Sequence, residues 1–254
     1  MSLIPYLESL PPAGARSRGA LILLHAFPLN ASMWEGQLAL AAGGWRVIAP
    51  EYPTAASVDD YAGAIVDLLD GLHIHDAVIG GLSLGGYVAF ALFRLAPNYV
   101  RGLVLADTRA EADTPESVDA RKRMIGLLHE HGAGGVASEM LPKLLGAGSL
   151  TTRPDLVDMV RRTIMGIAPE KIEGMIEALM TRPDSTELLG KIRVPTLIVV
   201  GHGDIATPPP LSTKMRDGIR GAELVLLASA GHLSNLEQPA AFNGALANFL
   251  ETRL

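Results

Sequence analysis

The run Asp76-Ala77-Val78-Ile79-Gly80-Gly81-Leu82-Ser83-Leu84-Gly85-Gly86-Tyr87 decides how the rest of the chain is read. Its first half is short and apolar, as a strand covered on both faces requires. Its second half passes directly into Val88-Ala89-Phe90-Ala91-Leu92-Phe93, a helical pattern. Between them stands one serine, in Gly81-Leu82-Ser83-Leu84-Gly85. So tight a turn from strand to helix holds its serine in a strained backbone geometry and lifts the hydroxyl above the sheet edge. Glycines two residues to either side are needed because a Cβ there would strike neighbouring backbone. Ser83 is therefore the candidate nucleophile. Phosphate-cradling turns are the other use of such glycines. However, the glycines at 80, 81, 85 and 86 do not fit G-x-G-x-x-G, and no Gly-Lys-Ser/Thr follows.

Outward from this turn, short apolar runs alternate with helical patterns. Ala20–His25, Arg46–Pro50, Asp76–Gly81, Arg101–Asp107, Val194–Gly201 and Ala222–Ala228 are predicted strands. Val58–Leu69, Gly86–Leu95, Ser212–Ile219 and Pro239–Leu250 are predicted helices. Strand–helix alternation with right-handed crossovers gives a doubly wound, mostly parallel sheet, an α/β fold. Ligands in such sheets sit beyond the carboxyl ends of the strands. From Ala110 to Gly190 the alternation stops and only helical patterns remain. Thr114-Pro115-Glu116 is a helix start, with a capping hydroxyl, proline in the first turn and an acid at the positive end. Leu156, Val160, Ile164 and Ile167 form one apolar face, and Ile172, Met175, Ile176, Leu179 and Met180 another. The chain thus divides into a core (1–109), an inserted helical cap (110–190) and the remainder of the core (191–254).

A serine nucleophile needs a base, an acid and two amides for the developing oxyanion. Asp204 lies just past the strand Val194–Gly201 and is the expected acid; Asp107, also at a strand end, competes with it. Of seven histidines, His73 and His75 precede the nucleophile strand, at the wrong edge. His129 and His131 end a polar helix, and His202 is too close to Asp204 in sequence to reach round to Ser83. His232, in Ser229-Ala230-Gly231-His232 after the last strand, is the expected base. The amide of Leu84 supplies one oxyanion donor. Phe27, where Leu23-Leu24-His25-Ala26-Phe27-Pro28 bends after an early strand, supplies the other, with His25 organising that loop.

Composition narrows the setting. The 254 residues are 48% apolar, carry a net charge of −6 and show no basic cluster, which argues against nucleic acid and anionic membranes. No apolar run has the length of a membrane span and no secretory leader is visible, so a cytoplasmic chain is expected. The lack of cysteine excludes disulfides, thiolate catalysis and cysteine-ligated metal.

With Ser83, Asp204 and His232 in that order, the chain resembles the α/β-hydrolase superfamily from about residue 20 onward. His25-Ala26-Phe27-Pro28 is similar to its His-Gly-x-Pro oxyanion loop, Gly81–Gly85 to its nucleophile elbow, and Gly231-His232 with Glu237-Gln238-Pro239 to its usual close. Within it the chain is similar to small capped enzymes of the 3-oxoadipate enol-lactonase and carboxylesterase kind. The resemblance implies hydrolysis of a small carboxylic ester or lactone without metal or organic cofactor. C–C bond hydrolysis or perhydrolysis by the same triad, or ligand binding without turnover, are the alternatives. Two departures stand out: Ala26 replaces the usual glycine, and Glu51-Tyr52-Pro53-Thr54-Ala55-Ala56-Ser57 replaces a longer glycine-rich loop. Trp34 and Arg109 are the expected substrate-binding residues, with Arg121 and Arg162 as further arginines able to meet a carboxylate. The segment 110–190 nonetheless holds nine Lys/Arg against thirteen Asp/Glu, so its net charge gives no support for an anionic substrate.

Overall fold

The computed structural model describes residues 3–254. Seven strands form one sheet in the order β1-β3-β2-β4-β5-β6-β7, comprising β1 (Tyr6–Ser9), β2 (Gly19–Leu24), β3 (Trp45–Pro50), β4 (Ala77–Leu82), β5 (Val100–Ala106), β6 (Thr196–Gly201) and β7 (Glu223–Leu227). All neighbours are parallel except β1, which runs antiparallel on β3. The six parallel strands fall where the apolar runs predict them. Residues 77–82 of β4, at the centre, are all buried, because helices cover both faces. The register carries Leu24, Gly81, Leu105, Ile198 and Leu224 across the sheet in one row. The residues that follow on β2, β4, β5 and β6 therefore emerge at a common edge, and the loop after β7 joins them there.

Four helices pack on this sheet as predicted: α1 (Val58–Gly71), α2 (Leu84–Leu95) and, later in the chain, Pro209–Gly218 and Pro239–Thr252. Ser57 caps α1 by accepting from Asp60 N–H, with Asp59 and Asp60 in the first turn. Besides the single turns Pro97–Tyr99 and Ser234–Glu237, two elements lie outside the predicted set. One is β1, half-exposed and held by its pairing with β3 rather than by any pattern of its own. The other is a 3₁₀ run over Ala31–Gly43, begun by Asn30 accepting from Ser32 N–H and ended by Gly44 in the left-handed region, φ 92°.

Between β5 and β6 the chain is entirely helical: α3 (Pro115–Leu144), α4 (Ala147–Thr152), α5 (Pro154–Met165), α6 (Pro169–Thr181) and α7 (Thr186–Leu189). Thr114 caps α3 by accepting from Ser117 N–H, and α3 breaks at Gly132, φ 63°, just beyond His129 and His131. Leu156, Val160 and Ile164 of α5 and Ile172, Met175, Ile176 and Leu179 of α6 are buried, so each apolar stripe faces inward. Gly174 sets α6 against the loop after β3, where a Cβ would lie 2.3 Å from Ala55 O. No helix among the described residues is long and apolar enough to cross a membrane.

Candidate active site

The turn after β4 has the strain its sequence implies. Ser83 sits at φ 54°, ψ −112°, a region L-residues rarely occupy. Its N–H donates to Ala106 O (2.9 Å), while its carbonyl accepts from Thr108 Oγ1 (2.9 Å) and Gly86 N–H (2.9 Å). A Cβ on Gly81 would lie 2.1 Å from Gly85 O, and one on Gly85 2.1 Å from Leu24 O. These closures hold the serine at the mouth of α2.

The loop after β6 carries Asp204 and the loop after β7 carries His232, and the two side chains meet in the interior. His232 Nδ1–H donates to Asp204 Oδ2 at 2.8 Å. Asp204 also accepts from Ala206 N–H (2.8 Å), Thr207 N–H (3.0 Å) and Thr207 Oγ1 (2.7 Å). Burial pushes the Asp204 carboxyl up, but the His232 charge and these hydrogen bonds outweigh it and leave its pKa below the usual value. Burial likewise pushes His232 down, yet the Asp204 charge and hydrogen bond, aided by Asp107, hold its pKa above the ordinary 6.5. With Nδ1 committed to Asp204, Nε2 keeps the lone pair. Ser83 and His232 line one cavity of about 580 Å³ but share no hydrogen bond; such contacts often tighten only once substrate is bound.

Asp107, the competing acid, makes no hydrogen bond to the imidazole. It stands at φ 43° past β5, fully buried, accepting from Gly201 N–H (2.8 Å) and from the Ser234 hydroxyl. It thereby ties together the two loops that carry Asp204 and His232. Burial, followed by the neighbouring Asp204 charge, pushes its pKa well up.

Leu84 follows the serine directly, and Phe27 lines the same cavity as Ser83. Leu84, first residue of α2, has no intrahelical acceptor for its N–H. Phe27 N–H engages no protein acceptor among the described residues, while the flanking amides are occupied: Ala26 N–H on Met33 Sδ (3.2 Å) and Leu29 N–H on Ala26 O (2.9 Å). Behind this loop His25 is buried, its Nδ1 donating to Ala26 O (3.2 Å), its carbonyl accepting from Tyr52 Oη (3.1 Å) and its ring 4.0 Å from that of Tyr52. Burial pushes its pKa down to about 4, so the ring is neutral.

Of the expected substrate-binding residues, Arg109 lines the cavity, as does Arg121, whereas Arg162 is solvent-exposed on α5. Trp34 requires correction. It is 1% exposed, packs against Phe242 with ring centroids 5.9 Å apart, and does not line the cavity. The 3₁₀ run turns it into the core, where it serves packing. His73, His75, His129, His131 and His202 are all exposed.

Two buried acids escape a reading of the sequence for catalysis. Asp113 receives Arg182 Nη2 (2.8 Å) and Arg109 Nη2 (2.9 Å) on Oδ1 and Arg121 Nε (3.3 Å) on Oδ2. Nothing in its local sequence marks it. Glu237 accepts from Gly231 N–H (2.7 Å) on Oε1, and from Gly146 N–H (2.9 Å) and Ser149 Oγ (2.5 Å) on Oε2. Its only sequence signal is its place in Glu237-Gln238-Pro239.

A seven-stranded, mostly parallel sheet with a serine on a strained strand–helix turn, and an acid–imidazole pair at the same edge, defines a hydrolase of the α/β type. The signature of the alpha/beta hydrolase family matches residues 21–245, and the chain belongs to that family. It is 27% identical over 242 residues to 3-oxoadipate enol-lactonase 2 of Acinetobacter baylyi, covering 92% of this chain and 89% of that protein. It is 28% identical over 266 residues to the pimeloyl-[acyl-carrier protein] methyl ester esterase of Neisseria meningitidis, covering 96% of each. Among solved structures it is similar to a thermophilic esterase from Thermogutta terrifontis with malate bound, at 31% identity and a TM-score of 0.91, over 97% of this chain and 92% of that one.

Proposed function

We propose that this hydrolase cleaves a small carboxylic ester or lactone through an acyl-enzyme, with Ser83 as nucleophile, His232 as base and Asp204 as its orienting acid. The observation that carries the reading is the buried 2.8 Å His232–Asp204 hydrogen bond, which leaves Nε2 basic in the cavity that Ser83 also lines. Ser83 Oγ attacks the substrate carbonyl as His232 Nε2 takes its proton. The free amides of Phe27 and Leu84 receive the oxyanion, each worth about 3–4 kcal/mol in the transition state. The imidazolium, stabilised by Asp204, protonates the leaving oxygen. Water, deprotonated by the same nitrogen, then releases the acid. The lactonase and esterase names among the relatives support an ester-type bond.

The test is a panel of p-nitrophenyl esters, thioesters, lactones and vinylogous diketones, run beside a fluorophosphonate probe. Ester or lactone turnover and covalent labelling are expected in the wild type, and both should vanish in Ser83→Ala. Labelling that persists in Ser83→Ala, or turnover confined to the diketones, would overturn the proposal.

A further inference from the structure

Although the helical insertion is acidic as a whole, the part of it that meets the cavity is cationic. Arg121, Arg123 and Lys143 of the insertion, with Arg109 just before it, line the cavity against only two carboxylates, Asp113 and Glu139. Glu139 is taken by Lys143, Nζ to Oε1 at 2.5 Å. Asp113 is the sole acid facing three guanidiniums. Of these, Arg182 is fully enclosed: it lies 4.1 Å above the Tyr87 ring and donates to Leu179 O (2.6 Å) and Glu111 O (3.2 Å) as well as to Asp113. One carboxylate offsets one of the three charges, so the cluster keeps a net positive charge beside the reacting groups.

Arg182 places both terminal nitrogens on protein acceptors, its Nε alone being unpartnered. Arg121 instead spends only Nε on Asp113, and its two terminal nitrogens meet no protein acceptor among the described residues, on a side chain 23% exposed. Arg109 likewise gives Asp113 one terminal nitrogen, its Nε being buried without a partner. The Arg121 guanidinium lies 5.9 Å from the Phe27 ring centroid, beside the oxyanion loop, and its charge opposes that of a protonated His232. A planar fork with free donors is suited to a carboxylate or another oxyanion of that shape.

Resting on the serine-hydrolase reading, we infer that the cavity selects esters or lactones bearing a carboxylate a few bonds from the scissile carbonyl, seated on Arg121 and Arg109. Asp113 is the positioning residue that aims both arginines.

Two substrate pairs test it. Aryl hemisuccinate against aryl butyrate places the charge on the acyl side. The butyrate ester of glycolate against ethyl butyrate places it on the alcohol side. The carboxylated member of at least one pair should have a kcat/KM tenfold to a hundredfold higher, as a charge-assisted hydrogen bond provides. That ratio should shrink at high ionic strength and collapse in Arg121→Gln and Arg109→Gln. An activity-independent arm measures the thermal midpoint with glutarate. Stabilisation is expected in the wild type and in Ser83→Ala, and its loss in Arg121→Gln. A preference below threefold in both pairs, equal turnover of trimethylammonium-bearing esters, or glutarate stabilisation that survives both arginine changes would overturn the inference. Ser83-dependent cleavage of the neutral esters would then leave the hydrolase reading standing. If no ester is cleaved, the glutarate arm still decides the arginine site.

Discussion

Replacing Glu237 by glutamine tests how the His232 loop is held. The carboxylate accepts from three donors and donates to none. An amide has one oxygen, so whichever way it turns, an NH₂ faces a backbone N–H. If the oxygen keeps Gly146 and Ser149, Gly231 N–H opposes the NH₂ at a site now 2.7 Å wide. If it keeps Gly231, Gly146 N–H is orphaned and only the Ser149 hydroxyl can rotate to accept. A hydrogen bond to a charged group contributes about 1.5–3 kcal/mol, and an unsatisfied buried donor costs about 1–3 kcal/mol. Allowing for local relaxation, Glu237→Gln should destabilise the fold by about 2–4 kcal/mol. At about 2–4 °C per kcal/mol for a chain of this size, the thermal midpoint should fall by about 4–16 °C. Because Gly231 adjoins His232, kcat on any ester the wild type cleaves should fall as well. Circular dichroism melts and urea titrations read the first effect, steady-state kinetics the second. A midpoint within about 2 °C of wild type would refute the account of Glu237 as the tie between these loops.

Three further outcomes are expected. Catalysis needs neutral His232, whose pKa is held above 6.5, so kcat/KM should fall as pH drops through a midpoint above 6.5; a limb centred below that value in a pH–rate profile would contradict the electrostatics. Asp204→Asn removes the acceptor that fixes Nδ1–H and should lower kcat by about 10⁴-fold with the fold intact, as kinetics beside a melting curve would show. Trp34→Phe should cost about 1–2 kcal/mol of stability by urea titration while KM shifts less than twofold, since the ring packs on Phe242 away from the cavity.

The central strands were legible because burial on both faces leaves an unbroken apolar run, and the candidate residues Ser83 and Asp204 because each stands just past the end of one; His232 was placed by its loop after the partly exposed β7. Tyr6–Ser9 gave no such signal: an edge strand exposed on one side takes its conformation from its partner, which lies some forty residues on. The 3₁₀ run Ala31–Gly43 has no helical period to detect, and without it the direction of Trp34 could not be read; nearness in sequence to the oxyanion loop suggested a pocket wall where the fold makes core. The net charge of the insertion likewise differs from the charge of the part that lines the cavity. Thirteen acids against nine bases is a sum over all faces, whereas the cavity meets one face, which gathers Arg121 and Arg123 from α3 with Arg109 from the loop after β5. Which charges point inward depends on helix rotation and on contacts such as Asp113 with Arg182, between residues 69 positions apart.

Glycine contacts on two sides of the insertion limit how the enzyme can breathe. Gly174 abuts Ala55 on one flank, and on the other a Cβ on Gly231 would lie 2.3 Å from Gly146 N. Main chain rests on main chain at both places, so the insertion cannot lift as one body without parting two seams at once, the second of which adjoins His232. A side chain at 174 would drive its Cβ into Ala55 O and so push on α6 as a whole.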